Sequence, residues 1–154
     1  MNDKENLSQD ITVTFCGHGD TSITPDLSMW LINTIEAQIE AGATQFYLGG
    51  YGAFDRAAAS VVWKLKEKYP HITSTLVLPY LDHQVDASYY DDTTYPSLEN
   101  VPRRFAILRR NEWMVDVSDV VIANVEHGWG GAAQTLTYAI RKHKAIINYS
   151  SWTL

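Results

Sequence analysis

The feature that most constrains the fold is the alternation of strand-like and helix-like segments along the chain. The clearest strand-like segment is the run DVVIANV at Asp119–Val125, which is almost continuously apolar. A parallel strand buried on both faces has this composition. Alternation of this kind is typical of a parallel sheet with right-handed crossovers and helices on both faces. We therefore predict a Rossmann-like α/β fold with a largely parallel, five-stranded sheet.

Local patterning predicts the individual elements. Strands are predicted where β-branched and apolar residues cluster, at 11–16, 45–48, 72–78, 119–125 and 145–148. Helices are predicted where apolar residues recur every three or four positions, at 25–41, 54–65, 103–117 and 133–143. Tyr80–Pro102 shows no period. A loop of this length is typically a lid or a binding loop, and we expect 81–100 to be mobile.

Size and composition predict one cytoplasmic domain. Of the 154 residues, we assign 1–10 to a flexible polar tail and 11–154 to a single domain. The single cysteine, Cys16, excludes an intrachain disulfide, and we see neither a signal peptide nor a membrane span. The formal net charge of −6 argues against nucleic acid as the main partner, because duplex-binding surfaces are basic.

Three strand-to-helix turns are rich in glycine, namely GHGD from Gly17, GGYGAFD from Gly49 and GWGGAAQT from Gly128. Ligands of open α/β sheets bind outside the carboxyl ends of the strands. Glycine there lets backbone N–H groups at a helix start approach a phosphate. One such turn often serves packing alone, but three at one edge favour a ligand site. Neither the dinucleotide fingerprint nor a P-loop occurs, which excludes a standard NAD site and a Walker ATPase.

Arg110 is the most informative charge. Ile107, Arg110 and Met114 share one helix face at three- and four-residue spacing, and we expect this face to point at the sheet. A guanidinium among apolar neighbours needs an anion. That anion is either a phosphate or carboxylate of a ligand, or a carboxylate of the protein such as Asp55 or Asp119. The sequence leaves both interpretations open.

Other polar and aromatic residues carry less information. Cys16 and His18 are spaced like a thiol and its base, but no third orienting group is evident, so we interpret the pair as incidental. Asp82–Asp86 (DHQVD) fits no defined metal-site spacing, and we predict neither a metal nor a cofactor. Tyr51 and Trp129 lie within glycine turns, where they could stack on a base.

Several of these motifs, in this order, resemble the YpsA-like branch of the SLOG superfamily. They are GHGD, GGYGAFDRAAA, YPSLENVPRRFAI, RRNEWMVDVSD and VVIANVEHGWGGAAQTLTYAIRKHKAIIN, which together cover about Ile11–Tyr149. This superfamily has a Rossmann-like fold and includes the Lonely Guy phosphoribohydrolases, the DNA-processing protein DprA and ligand-sensing domains. The resemblance implies binding of a nucleotide or a nucleotide-derived signal.

The resemblance also marks departures from the Lonely Guy enzymes. Arg110 and Met114 match their R-x-x-x-M helix. Gly131 begins the equivalent of their G-T-x-x-E motif, so Thr135 stands where their catalytic glutamate would lie. The catalytic residues are therefore unknown, with Glu126 as the carboxylate nearest the glycines.

We predict a binding module, either a sensor or a sequestering protein, for a nucleotide-type ligand. The alternatives are a nucleotide N-glycosidase or ribosyl-transfer enzyme with an altered acid, and a structural protein without a pocket. We expect Arg110 and the Gly130–Thr135 turn to form the anion end of the pocket. Five tryptophans and nine tyrosines in a small domain predict a homodimer. The predicted ligand-binding residues are Gly17, His18, Gly49, Gly50, Arg110, Asn111, Gly130, Gly131, Gln134 and Thr135.

Overall fold

The computed structural model describes residues 10–82 and 84–152, so most of the predicted tail lies outside the described residues. Strands and helices alternate along the described chain. The strands are β1 (Ile11–Gly17), β2 (Ala43–Leu48), β3 (Thr73–Val77), β4 (Asp92–Thr94), β5 (Val120–Asn124) and β6 (Ala145–Asn148). The helices are α1 (Pro25–Glu40), α2 (Ala53–Leu65), α3 (Ala106–Asp116), which a short 3₁₀ turn at Arg103–Phe105 precedes, and α4 (Gly131–Arg141).

All strands pair in parallel, in the order β4-β3-β2-β1-β5-β6. The predicted Rossmann-like α/β fold is confirmed. The predicted number of strands is one too low, because β4 lies inside the segment that we interpreted as a loop. Its sequence, DTT, is too short and polar to show a period. The strand is held instead by hydrogen bonds to β3, including one of 2.6 Å from Thr75 Oγ1 to Asp92 Oδ1.

Side chains of the central strands alternate between two apolar layers. On β5, Val120 and Ile122 join the layer under α1 and α2, whereas Val121 and Ala123 join the layer under α3 and α4. All five residues of β5 are buried, as its continuous apolar sequence predicts. Burying one large aliphatic side chain contributes about 1.5–3 kcal/mol, so this double layer fixes the position of the sheet edge.

Turn chemistry sets the starts of the helices. Thr24 caps α1, since its Oγ1 accepts a hydrogen bond of 3.1 Å from the Leu27 N–H, and Pro25 occupies the first helical position. Helix α2 begins after Gly52, whose φ of +90° is a conformation that favours glycine. Among the described helices, none is long and apolar enough to span a membrane.

Candidate ligand-binding cavity

A cavity of about 800 Å³ opens at the carboxyl ends of β2 and β3. We call it the β2–β3 cavity. Its volume falls within the range of small-molecule sites, about 300–1,000 Å³. Helices α2 and α3 form its sides, and residues from 79–80 and 84–90 line it as well. The lining residues include Gly49, Gly50, Tyr51, Arg56, Ser60, Trp63, Lys64, Leu76, Leu78, Tyr80, Val85, Asp86, Tyr89, Tyr90, Ile107 and Arg110.

The glycine turn after β2 is occupied by a carboxylate of the protein itself. Asp55, in the first turn of α2, is buried, and its Oδ2 accepts hydrogen bonds from the N–H groups of Gly49 (2.8 Å) and Gly50 (3.0 Å). Burial raises the pKa of the Asp55 carboxyl, while Arg110 and the backbone N–H groups of the turn act in the opposite direction. Asp55 therefore holds the place that a ligand phosphate would take in a glycine-rich turn.

Arg110 ties the ends of β2 and β3 together from α3. It is only 3% exposed, and its Nη1 donates to the carbonyl oxygens of Gly49 (3.0 Å) and Val77 (2.9 Å). Its Nε donates to Asn111 Oδ1 at 2.8 Å. These bonds do not use Nη2, and Arg110 also lines the cavity. The side chain thus combines a structural role with a remaining pair of N–H donors.

The electrostatic partner of Arg110 within the protein is Asp55. Burial lowers the pKa of Arg110, and the nearby Asp55 raises it. A β-carbon on Gly49 would lie 2.9 Å from the Arg110 guanidinium carbon, so only glycine permits this close approach. Asp119, the other acid that we considered, lies elsewhere, where its Oδ2 accepts from the Thr12 N–H at 2.9 Å.

Aromatic rings form the outer wall of the cavity. Trp63 of α2 meets Tyr89 edge-to-face, with 6.2 Å between the ring centroids. Tyr51 is 72% exposed at the mouth. Burial, reinforced by nearby Asp55, raises the pKa of Tyr90 to about 12, so its phenol stays protonated at neutral pH. Rings with exposed faces, next to a neutral phenol, suit a planar heterocycle.

The segment that contains the lining residues 84–90 is anchored at both ends. At the first end, Arg103 forms an ion pair of 2.8 Å with Asp82, and its guanidinium lies 3.9 Å from the centroid of the Tyr80 ring. At the second end, Asp91 Oδ2 accepts from the Ser74 N–H (2.8 Å) and from Lys66 Nζ (3.0 Å). Between these ends, residues from 84–90 line the cavity, and the mobility of 81–100 stays a prediction.

The glycine turn after β5 lies outside the β2–β3 cavity. Gln134 lines a separate cavity of about 340 Å³, together with Glu112 and Arg141. Thr135 is 2% exposed, and its Oγ1 donates to the Gly131 carbonyl at 2.9 Å, within α4. Gly130 and Gly131 form the start of that helix. The structure therefore does not bring Arg110 and this turn into one cavity.

Gly17 and His18 lie at a third place, between β1 and β5. Strand order reverses there, and we call the opening of about 420 Å³ the switch-point cleft. His18 Nε2 accepts from the Glu126 N–H at 3.1 Å. The rings of His18, His127 and Trp129 form a continuous stack, with successive centroids 3.9 and 3.6 Å apart.

The chemistry of the switch-point cleft is mild. Burial, and then the neighbouring His127, lower the pKa of His18, so its imidazole is neutral at pH 7. Burial also raises the pKa of the Cys16 thiol, which keeps it from acting as a nucleophilic thiolate. This supports the interpretation of Cys16 and His18 as an incidental pair.

Sequence reasoning missed several lining residues on α2. Arg56, Ser60 and Lys64 recur every four positions, and all three line the β2–β3 cavity. That spacing, together with Trp63, is visible in the sequence and was the available signal. Asp55 was considered only as a partner of Arg110. Its bonds to the glycine turn had no signal in the sequence, because an acid in the first turn of a helix is common without any special role.

Comparisons with known proteins give a fold rather than a function. No protein-family model matches the chain. A relative is the uncharacterized SPbeta prophage-derived protein YoqJ of Bacillus subtilis, 26% identical, with the match covering 71% of this chain and 75% of that protein.

Three solved structures are similar over nearly the whole chain. The DNA processing protein A of Helicobacter pylori, which binds single-stranded DNA, is 18% identical, with a TM-score of 0.64 and coverage of 95% of this chain and 68% of that one. Its counterpart DprA of Streptococcus pneumoniae is 13% identical, with a TM-score of 0.65 and coverage of 93% and 51%. The molybdenum cofactor carrier protein of Chlamydomonas reinhardtii is 18% identical, with a TM-score of 0.57 and coverage of 91% and 76%. At these identities, the likeness establishes a shared Rossmann-like fold.

Proposed function

We propose that the protein is a SLOG-type binding module of the YpsA-like branch, and that it binds a nucleotide or a nucleotide-derived small molecule in the β2–β3 cavity. One observation carries this proposal. A cavity of about 800 Å³ at the carboxyl edge of a parallel sheet combines exposed aromatic rings with cationic side chains. A sensor or a sequestering protein requires such a site and no catalytic group.

The two halves of the cavity match the two halves of a nucleotide. Trp63, Tyr89 and Tyr51 offer ring faces and edges on which a base can pack. Arg56, Lys64 and the Nη2 group of Arg110 offer donors for negatively charged oxygens. The similarity in fold to a molybdenum cofactor carrier supports binding of a small ligand on this scaffold.

The local chemistry favours binding over hydrolysis. Thr135, at the position of the Lonely Guy glutamate, uses its hydroxyl within α4. Glu126 lines the switch-point cleft rather than the β2–β3 cavity. Asp86, the carboxylate that lines the cavity, is engaged by the N–H and hydroxyl of Ser88. None of these three groups is placed as a free general acid against a ligand in this cavity.

The test is calorimetric titration of the purified protein with adenosine, guanosine, their 5′-monophosphates and a thymidine decanucleotide. We expect saturable binding of at least one nucleotide, abolished by Ser60→Trp, which places an indole ring in the cavity from a partly exposed position of α2. Ala37→Trp introduces the same side chain at an exposed position of α1 outside the cavity; it is the matched control and should bind as the parent does. Absence of binding by every nucleotide would refute the proposal.

Two further readouts of the same samples separate the alternatives. Release of free base during incubation with nucleoside monophosphates would indicate the glycosidase instead. Tighter binding of the decanucleotide than of any mononucleotide would indicate a nucleic-acid partner, against our prediction from the net charge of −6.

We also propose that the protein works in the cytoplasm as a homodimer. Large apolar side chains are exposed at several places, including Met29, Tyr51 and Trp129. Light scattering at tens of micromolar, roughly the range of weak assemblies, should give twice the monomer mass. A monomer at that concentration would contradict the dimer and leave the ligand proposal intact.

A further inference from the structure

We infer that the ligand carries at least two negatively charged groups, which bind along a row on α2 formed by Arg56, Ser60 and Lys64. This inference rests on the proposed function, since it names the ligand class of the same cavity. It also moves the anion end of the site away from the Gly130–Thr135 turn, which the sequence analysis expected to form it together with Arg110.

The turn after β2 already holds an anion of the protein itself. The Asp55 carboxylate accepts from the N–H groups of Gly49 and Gly50 at 2.8 and 3.0 Å. A phosphate at these N–H groups would have to displace a buried carboxylate that also lies beside Arg110. A ligand anion therefore needs donors from another element of the cavity.

Arg56, Ser60 and Lys64 lie on one face of α2. Residues four apart lie on one helix face, and each step of four rises about 6 Å, so the backbones of Arg56 and Lys64 are about 12 Å apart. Ser60 lies midway between them, and all three line the β2–β3 cavity. Within residues 10–82 and 84–152, neither Arg56 nor Lys64 forms an ion pair.

The face of α2 that lines the cavity is basic. The chain has 12 basic and 18 acidic residues, yet the charged residues of α2 that line the cavity are both basic. Asp55, the acid in α2, is turned inward to the glycine turn. Asp86, an acid outside α2 that also lines the cavity, accepts hydrogen bonds from the N–H (3.1 Å) and hydroxyl (2.6 Å) of Ser88. A basic row maintained inside an acidic chain is what an anionic ligand requires.

The spacing of the two cations indicates the chemical class of the ligand. Two cations two helical turns apart, with a hydroxyl between them, match two phosphate groups separated by part of a nucleoside better than one compact phosphate. The volume of about 800 Å³ lies in the upper part of the range for small-molecule sites, about 300–1,000 Å³, and so leaves room for such a ligand. The geometry points to a dinucleotide or another nucleotide with separated phosphate groups.

The experiment uses probes that differ in charge spacing, namely inorganic phosphate, inorganic tripolyphosphate, AMP and the phosphorylated dinucleotide pApA. Each is titrated calorimetrically into the wild-type protein, Arg56→Gln and Lys64→Gln. Arg104→Gln and Lys142→Gln remove the same charges from exposed positions outside the cavity and serve as matched controls. Circular dichroism confirms that each variant is folded.

We expect pApA to bind at least tenfold more tightly than AMP. Each α2 substitution should weaken pApA about tenfold, and each control should change it less than about twofold. Tripolyphosphate should bind the wild type, and it should bind both α2 variants more weakly.

Two outcomes would overturn the inference. The first is tight AMP binding with no gain for pApA and no effect of either α2 substitution, which would leave the proposed function standing. The second is an effect of the controls equal to that of the α2 variants, which would reduce the row to general electrostatics. Binding of tripolyphosphate through the row without binding of any nucleotide would support the anion row and refute the proposed function.

Discussion

The β2–β3 cavity and the switch-point cleft lie at the same edge of the same sheet, but they differ in how their polar groups are used. In open α/β folds, ligands bind where strand order reverses. Here the reversal lies between β1 and β5. Its cleft is about half the volume of the β2–β3 cavity. Two rings of the stack, those of His18 and His127, line it, and the His18 ring also accepts a backbone hydrogen bond.

A cleft at the point where strand order reverses is therefore not by itself a ligand-binding site. In the β2–β3 cavity, internal bonds of Asp55 and Arg110 fix the glycine turn, while neither Arg56 nor Lys64 forms an ion pair within the described residues. In the switch-point cleft, the ring of His18 stacks and its Nε2 is bonded. The following variants test the two regions against each other.

The largest expected effect is that of Asp55→Ala on folding. This change removes the acceptor of two buried N–H groups and the charge that opposes Arg110. Breaking a buried charge arrangement costs about 3–5 kcal/mol, and urea denaturation should show a loss of that size. Asp20→Ala, in the switch-point cleft, is exposed and should change the free energy of unfolding by less than about 0.5 kcal/mol. A loss below about 1 kcal/mol for Asp55→Ala would mean that the turn does not depend on its internal anion.

A smaller effect is expected on ligand affinity from the two tryptophans. Trp63→Ala removes a ring that lines the β2–β3 cavity, whereas Trp129→Ala removes the outer ring of the stack in the other region. Loss of base stacking weakens binding by about 1–3 kcal/mol, so Trp63→Ala should raise the dissociation constant of the best nucleotide at least fivefold. Trp129→Ala should leave it unchanged. The reverse result would place the ligand in the switch-point cleft.

The pH dependence of stability should distinguish the regions more weakly. The pKa of His18 is lowered in the folded protein, so folding favours the neutral ring. Its contribution is therefore complete above the unfolded pKa of about 6.5, and it is lost as the pH falls from there through the folded pKa. The urea midpoint of the wild type should fall between about pH 7.5 and pH 5.5 by slightly more than that of His18→Gln. Parallel curves would show that His18 does not contribute to the pH dependence of stability.

The smallest effect is expected from Thr135→Ala. Its hydroxyl donates to the Gly131 carbonyl inside α4, and the side chain is buried away from the β2–β3 cavity. Nucleotide affinity, measured by calorimetry, should therefore stay within about twofold of the wild type, because Thr135 makes no contact with the ligand. A tenfold loss would restore the turn after β5 as part of the site.

The fold was predictable because its signals are periodic. The apolar run of β5 and the four-residue spacing of the buried apolar residues of α2 reflect burial that extends over whole elements. Strand β4 was missed because three polar residues at an edge carry no period, and their pairing depends on contacts made by distant side chains, such as Lys66 with Asp91.

The site was predictable only in part, because it depends on how distant elements meet. Gly49, Gly50 and Arg110 line one cavity, as residues of a predicted site should. Arg110 was grouped with the Gly130–Thr135 turn because α3 leads into β5 along the chain. However, α3 crosses from β4 at one edge to β5 near the other, so Arg110 reaches the ends of β2 and β3. Sequence proximity to a strand does not predict which strand a crossover helix contacts midway.

The carboxylate of Asp55 also has a consequence for the thermodynamics of recognition. A turn that needs an external phosphate to satisfy its N–H groups becomes ordered only on binding, and ordering lowers the net affinity. Here the turn is complete before any ligand arrives, since Gly49 and Gly50 already donate to Asp55. Conformational entropy would then be lost mainly in the segment 79–90 and in the long side chains of α2. Calorimetry should accordingly show only a modest entropic cost of binding. Most of the binding enthalpy should arise from charge and ring contacts.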